Sequence, residues 1–345
     1  MRKSLAFAAA LVMIAACGCS ASGREDSTQD NTSPPEETSV TAVSHNSSGA
    51  PDSEAGESIP DEPPDTDRIF DTAPIADAYI SGDDSALDSF QKQILSKAAA
   101  VIDQCVTEDM TPYEKELALH DWMIRYCTYD KGELRAIKKP GKHCSDPYGA
   151  LIDGQAICMG YTTTFKLFMD MVGIPCGIID STDDEGDEHA WNIVQLDGSW
   201  YYVDTTWDDP VPDKENGYVK HQYFNITREE ISRRHILPDG APETDSTEYL
   251  FAEHELFPVT DISQITEGVK SALEKGHADL AVYFDMDTEL ADISDADLSD
   301  YYTIPDIKLQ KEISAACKKA GTQFLCSSLR SSDRGSVLLI IFEPK

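Results

Sequence analysis

Three stretches decide the reading of this chain: Gly154–Tyr161 (GQAICMGY), Glu188–Asn192 (EHAWN) and Trp200–Pro210 (WYYVDTTWDDP). In order they offer Cys158, His189 and Asp204. A thiol attacks well only as a thiolate, so it needs a base and a positive local field. The base in turn needs a carboxylate to hold its tautomer. These three residue types supply the three roles.

Local patterning places them. Residues 155–172 carry Ile157, Tyr161, Phe165, Phe168, Met169 and Val172 at helical spacing, with Gly173 and Pro175 to stop the helix. Cys158 therefore falls in the first turn, where unpaired backbone N–H groups and the helix dipole favour a thiolate. Such a position, with a cation beside it, pulls a thiol from about 8.5 to roughly 3.5–7.5. Residues 189–196 and 199–205 read as strands joined by Asp197-Gly198, a strong two-residue hairpin signal. With that turn Leu196 faces Ser199, and His189 and Asp204 become diagonal neighbours on one face, within side-chain reach. A slip of one residue would separate them.

The set G-x-x-x-C-x-G-Y, H-A-W-N-x-V and D-G-x-W-Y-x-V-D-x-T-W-D-D-P resembles the transglutaminase-like superfamily, in its bacterial lipid-anchored branch. The resemblance runs over about residues 110–240, including Tyr223-Phe224-Asn225 and Glu229–His235. It implies an α+β fold with a papain/transglutaminase-like core: Cys158 at a helix N-terminus, packed on an antiparallel sheet that carries His189 and Asp204. It also implies a thioester on Cys158, resolved by water in a peptidase or amidase and by an amine in a cross-linking transglutaminase. GQAICMGY lacks the Trp that follows the nucleophile in animal transglutaminases, and no calcium loop is recognisable. Hydrolysis is thus expected over cross-linking. A non-catalytic binding module on the same fold is the reading from another class. Gln155 and Tyr148 are the oxyanion-hole candidates, and Trp191 and Trp207 the cleft candidates, although packing in the hairpin also accounts for both tryptophans.

The N-terminus reads as a targeting segment. Arg2 and Lys3 precede an apolar run from Leu5 to Ala16 that is too short to span a membrane. Ile14-Ala15-Ala16-Cys17 resembles a bacterial lipobox, so residues 1–19 are expected to be a signal peptide that leaves Cys17 lipidated; Cys19 and an ordinary cleaved signal are the alternatives. Residues 20–67 hold twelve Asp or Glu against Arg24 alone and lack apolar periodicity, which predicts a disordered acidic tether. These features together predict an exported protein, anchored in the membrane by lipid and acting on a peptide or protein amide, cell-wall peptide included.

The remainder reads as two units: a catalytic domain over 68–240 with N-terminal helices, and a small α/β accessory domain over 255–345. Helices are expected at 84–106, at 111–127 (with Thr111 and Glu114 as a capping box around Pro112) and at 226–235. The Pro- and Asp-rich stretch 237–258 reads as the boundary between the units. Beyond it the pattern predicts a helix over 261–275, a strand over 279–284, a helix over 305–320 and strands over 322–328 and 336–343.

A net charge of −35 argues against nucleic acid, whose phosphates need clustered Lys and Arg. His143 and Cys144, with Cys127, match no zinc spacing, so neither a metal nor a cofactor is expected. Cys105, Cys127, Cys144, Cys176, Cys317 and Cys326 suit disulfides in an oxidising exterior, in a pairing the sequence does not specify.

Overall fold

The computed structural model describes residues 69–130, 141–209, 218–244, 246–284, 307–330 and 337–344. The expected signal peptide, Cys17 and the expected tether lie outside the described residues, as does Pro210. In chain order the first elements are α1 (Ala73–Ser81), α2 (Ser89–Cys105), α3 (Pro112–Tyr126), β1 (Thr128–Tyr129), a π-helical turn (Gly149–Asp153), β2 (Gln155–Ala156) and α4 (Cys158–Met171). There follow β3 (Cys176–Asp183), β4 (Glu188–Leu196), β5 (Ser199–Val203), α5 (Thr205–Asp208), α6 (Arg228–Ile231) and β6 (His235–Ile236). The last are α7 (Phe251–His254), β7 (Leu256–Val259), a 3-10 turn (Ile262–Gln264), α8 (Ile265–Lys275), β8 (Asp279–Phe284), α9 (Ile307–Lys319), β9 (Thr322–Arg330) and β10 (Val337–Pro344).

α4 is the centre around which the first sheet and the N-terminal helices pack. Its residues are buried on nearly every side, with Tyr161, Phe165, Phe168 and Met169 fully enclosed. Three consecutive threonines inside it are polar, and each hydroxyl is satisfied. Thr162 donates to the Ala190 carbonyl (2.9 Å), Thr163 to that of Met159 (2.8 Å) and Thr164 to that of Gly160 (2.6 Å). Buried hydroxyls without such partners would cost 1–3 kcal/mol each, roughly. α4 packs against β3 and β4 on one side and against α1 and α3 on the other.

The sheet under α4 has strand order β5-β4-β3-β6 and is antiparallel throughout. The β4–β5 register is Leu196↔Ser199 through Asn192↔Val203, as the Asp197-Gly198 turn predicts. Asp197 (φ 47°) and Gly198 (φ 85°) both take the left-handed conformation that such a turn requires. Asn192, fully buried in β4, ties helix to sheet: its side-chain amide donates to the carbonyls of Thr162 (3.1 Å) and Gly177 (3.2 Å).

The second sheet has order β7-β8-β10-β9. β10 is apolar without a break from Val337 to Phe342, and its two faces serve different neighbours. Val337, Leu339 and Ile341 join the large cluster around α4, whereas Leu338, Ile340 and Phe342 pack with α8 and α9. All described residues fall within one compact unit, Ser53–Lys345. The stretch 237–258, expected to be a boundary, contains α7 and the start of β7. β7 pairs in parallel with β8 (Leu256↔Ala281 to Val259↔Phe284) and is therefore an edge of the second sheet. Cys317 is a buried free thiol.

α2 begins at Ser89 rather than 84 because Asp88 caps it, accepting from the Gln91 amide at 2.7 Å. The expected helix over 226–235 is confined to α6. Ser232 caps its end, and the chain then extends so that His235 pairs with Asp183 as a strand residue.

The glycine two residues after Cys158 is required by a close approach. A Cβ on Gly160 would press into the carbonyl oxygen of Cys144 and come within 2.7 Å of the Ala156 Cβ. The Cys144 carbonyl is held there by the Ile157 amide at 2.9 Å. Gly160→Ala is therefore expected to lower stability by about 1–3 kcal/mol through overpacking. Urea unfolding midpoints measure this, and an unchanged midpoint would contradict the contact.

Candidate active site

The first turn of α4 puts Cys158 at the start of β4. The Thr162–Ala190 bond, one turn further along, pins the two elements there. The N-terminus of α4 has no side-chain cap: Ile157 precedes Cys158 in extended conformation and offers no polar group. The amides of the first turn are thus left for an anion, either a thiolate or an oxyanion. Cys158 itself is a half-buried free thiol.

His189 is buried and hydrogen-bonds the Cys158 thiol. Its Nε2–H donates to Asp204 Oδ2 at 2.7 Å, which leaves Nδ1 for the sulfur. Burial alone would lower the His189 pKa. The Asp204 charge and hydrogen bond, with the Cys158 sulfur, outweigh it and push the imidazole up to about 10. Asp204 is fully buried. Burial favours its acid form, but the His189 charge and the hydrogen bonds from His189 and His235 hold it well below the usual carboxylate range. Its other oxygen, Oδ1, accepts the amides of Thr206 (3.0 Å) and Trp207 (3.1 Å), so Asp204 also caps α5. Cys158, His189 and Asp204 are therefore brought together in a chain of hydrogen bonds. A base of this kind can take the thiol proton and return it to a leaving group.

The cleft candidates separate. Trp207 is half-buried with its ring 5.3 Å from that of His189, and the Arg234 guanidinium lies over the Trp207 ring, 5.4 Å from its centroid. Trp191 is fully buried behind His189 (5.8 Å) in a cluster with Ile179, Ile193 and Tyr202. Its enclosure corrects its assignment as a substrate contact: it packs. Gln155 is exposed in β2, three residues before Cys158, and pairs with Thr128. The Tyr148 ring is stacked on Phe90 (5.0 Å) and lies against His143 (4.8 Å).

A family model for the transglutaminase-like superfamily matches residues 99–205, which hold all three residues. Residues 99–205 form a transglutaminase-like domain. Over 170 residues the chain is 22% identical to the kyphoscoliosis peptidases of Homo sapiens and of Mus musculus. That alignment covers 45% of this chain but spans only 25% of either relative. A solved structure of a TGase is 18% identical, with 40% of this chain and 38% of that one aligned at a TM-score of 0.30.

Around the Cys158–His189–Asp204 site lie buried groups that sequence reasoning missed. His235 donates from Nε2 to the same Asp204 oxygen as His189, at 2.8 Å. Asp208 and Asp209, read as a turn, are buried anchors. Asp208 accepts the Tyr223 amide (2.9 Å) and bonds His120 Nε2 (3.2 Å), while Asp209 accepts the Tyr161 hydroxyl (2.5 Å). From His120 a buried network continues through Asp121 to His221 (2.9 Å) and Asp279 (3.0 Å), with Arg125 on Asp121 at 2.9 Å. Burial disfavours the His221 imidazolium, but Asp279 and Asp121 overcome this and raise it to about 10.

Three groups of His and carboxylate atoms lie close enough to surround a cation: His120–Asp121–His221, His189–Asp204–His235 and His221–His277–Asp279. His221 spends both ring nitrogens on carboxylates, and His189 and His235 spend Nε2 on Asp204, so these groups are matched to one another. His143, weighed with Cys144 and Cys127 as a ligand, bonds Asp146 at 2.8 Å.

The shifted pKa values set a pH window. His189 is raised, so its contribution to stability is complete below about 6.5 and is lost as pH rises through about 10. Asp204 is lowered, so its contribution is complete above about 4 and is lost on further acidification. The stability gap between wild type and His189→Gln should therefore be widest between about pH 4 and 6.5 and shrink towards pH 10.5. Urea midpoints at pH 5, 8 and 10.5 test this, and a gap that widens with pH would refute it.

Proposed function

We propose that this protein is a thiol-dependent acyl-transfer enzyme that cleaves amide bonds through a thioester on Cys158, as a peptidase or amidase. The observation that carries the reading is the continuous Cys158–His189–Asp204 hydrogen-bond chain at the uncapped N-terminus of α4. His189 takes the thiol proton, and the sulfur adds to the amide carbonyl. The oxyanion is received by the first-turn amides of α4. His189 Nδ1–H then protonates the departing amine, and the carbon–nitrogen bond breaks to leave the thioester. Water, deprotonated by His189, releases the acid and restores the thiol. The lipobox-like segment ending at Cys17 and the acidic stretch behind it support an exported, membrane-anchored setting with peptide or cell-wall peptide as substrate.

The test is incubation of the purified protein with a peptide mixture, following new amino termini, ammonia and incorporation of a labelled primary amine. New termini or ammonia without amine capture are expected. Amine capture with little hydrolysis would move the assignment to cross-linking. Cys158→Ala should abolish turnover and the thioester seen by mass spectrometry. His189→Ala should cost about 10²–10⁴-fold, and Asp204→Ala less than that. Full activity in Cys158→Ala would overturn the proposal in favour of a binding module.

A further inference from the structure

Asp204 Oδ2 accepts two imidazole N–H groups at nearly equal length, 2.7 Å from His189 and 2.8 Å from His235. Of the two, His189 is the one bonded to Cys158. His235 is 1% exposed, enclosed by the rings of Trp207 (4.3 Å), Trp191 (4.7 Å) and Tyr223 (5.6 Å). Its Nδ1 is buried without a hydrogen-bond partner among the described residues. The geometry places a proton on Nε2, aimed at Asp204.

We propose that His235 is a positioning residue that sets how tightly His189 holds its proton. The proposal rests on the thiol acyl-transfer reading of Cys158. Two effects follow from the shared oxygen. A carboxylate oxygen that already accepts one N–H presents a weaker field to a second, so His235 draws off part of the pull that Asp204 exerts on the His189 imidazolium. His189 must release that proton to the leaving amine, and a base held too high would release it poorly. The second effect is orientation. Two amides on Oδ1 and two imidazoles on Oδ2 leave the carboxylate no freedom to turn. The other charged groups at hand lie further out. Arg234 sits over the Trp207 ring and pairs with Asp184 at 2.8 Å, and Asp208 faces His120 and the Tyr223 amide.

Iodoacetate tests this without any substrate. It is an anion, so it alkylates Cys158 fast only while a thiolate and the His189 imidazolium coexist, and the rate plotted against pH is a bell whose upper limb reports His189. Peptide-resolved mass spectrometry reads Cys158 alone. His235→Leu removes the second donor and should move the upper limb up by about one pH unit. His235→Gln places an amide N–H where Nε2 lies and should restore the wild-type limb. A bell in His235→Leu that coincides with wild type overturns the proposal and leaves the thiol reading standing. A flat wild-type profile, with Cys158 no faster than Cys105, overturns the thiol reading and the proposal with it. If His235→Leu does not fold, ¹⁵N spectra of the wild-type histidines decide. His235 Nε2 should carry a proton hydrogen-bonded to Asp204, and a ring protonated on Nδ1 alone would overturn the inference.

Discussion

Asp204 is wholly buried and still ionised because four donors converge on it, two imidazole N–H groups on one oxygen and two backbone amides on the other. Without them burial would protonate it, as burial pushes the carboxyl of Glu116, which has Asn225 at 3.0 Å, up to about 8. The charge kept on Asp204 in turn stabilises the His189 imidazolium that forms when the ring takes the thiol proton. The same carboxylate starts α5, and that single turn delivers Trp207 to the imidazole face and Asp208 to the interior. One side chain thus ties the sheet, the short helix and the thiol's base into a single arrangement.

From Asp208 the polar chain runs inward through His120, Asp121 and His221 to Asp279 at the start of β8. Buried ion pairs contribute little net stability, since desolvation consumes most of the attraction. Their geometric demand is large, however, because any mispairing strands a charge. The network therefore specifies where β8 sits against α3 more than it strengthens the fold. It is continuous through hydrogen bonds with the turn that Asp204 caps.

What was legible in the sequence was local. The Asp197-Gly198 turn dictates register, and register brings His189 and Asp204 together; Gly173 and Pro175 bound α4, and Thr111 with Glu114 starts α3. His235 was not legible, because it joins Asp204 across 31 residues and sits at the end of an amphipathic run that looks helical. The same holds for His120 with Asp208 and for His221 with Asp121, 88 and 100 residues apart. Asp208 and Asp209 before a proline look like turn residues from composition, and their burial follows only from tertiary partners. One signal was available: an acidic pair after Asp204 and Trp207 is a costly choice for a solvent-facing turn in a hairpin this apolar.

The placement of β10 has a consequence for how the chain comes together in time. Residues 337–344 form an inner strand, with β8 on one side and β9 on the other. β8 is synthesised about fifty residues earlier and, with β7 alone beside it until then, gains its second neighbour only when β10 has emerged. Until then Leu280 and Val282 have no facing layer from β10, and the cluster around α4 lacks Val337, Leu339 and Ile341. The core around α4 is therefore incomplete until the chain has been made through Ile341.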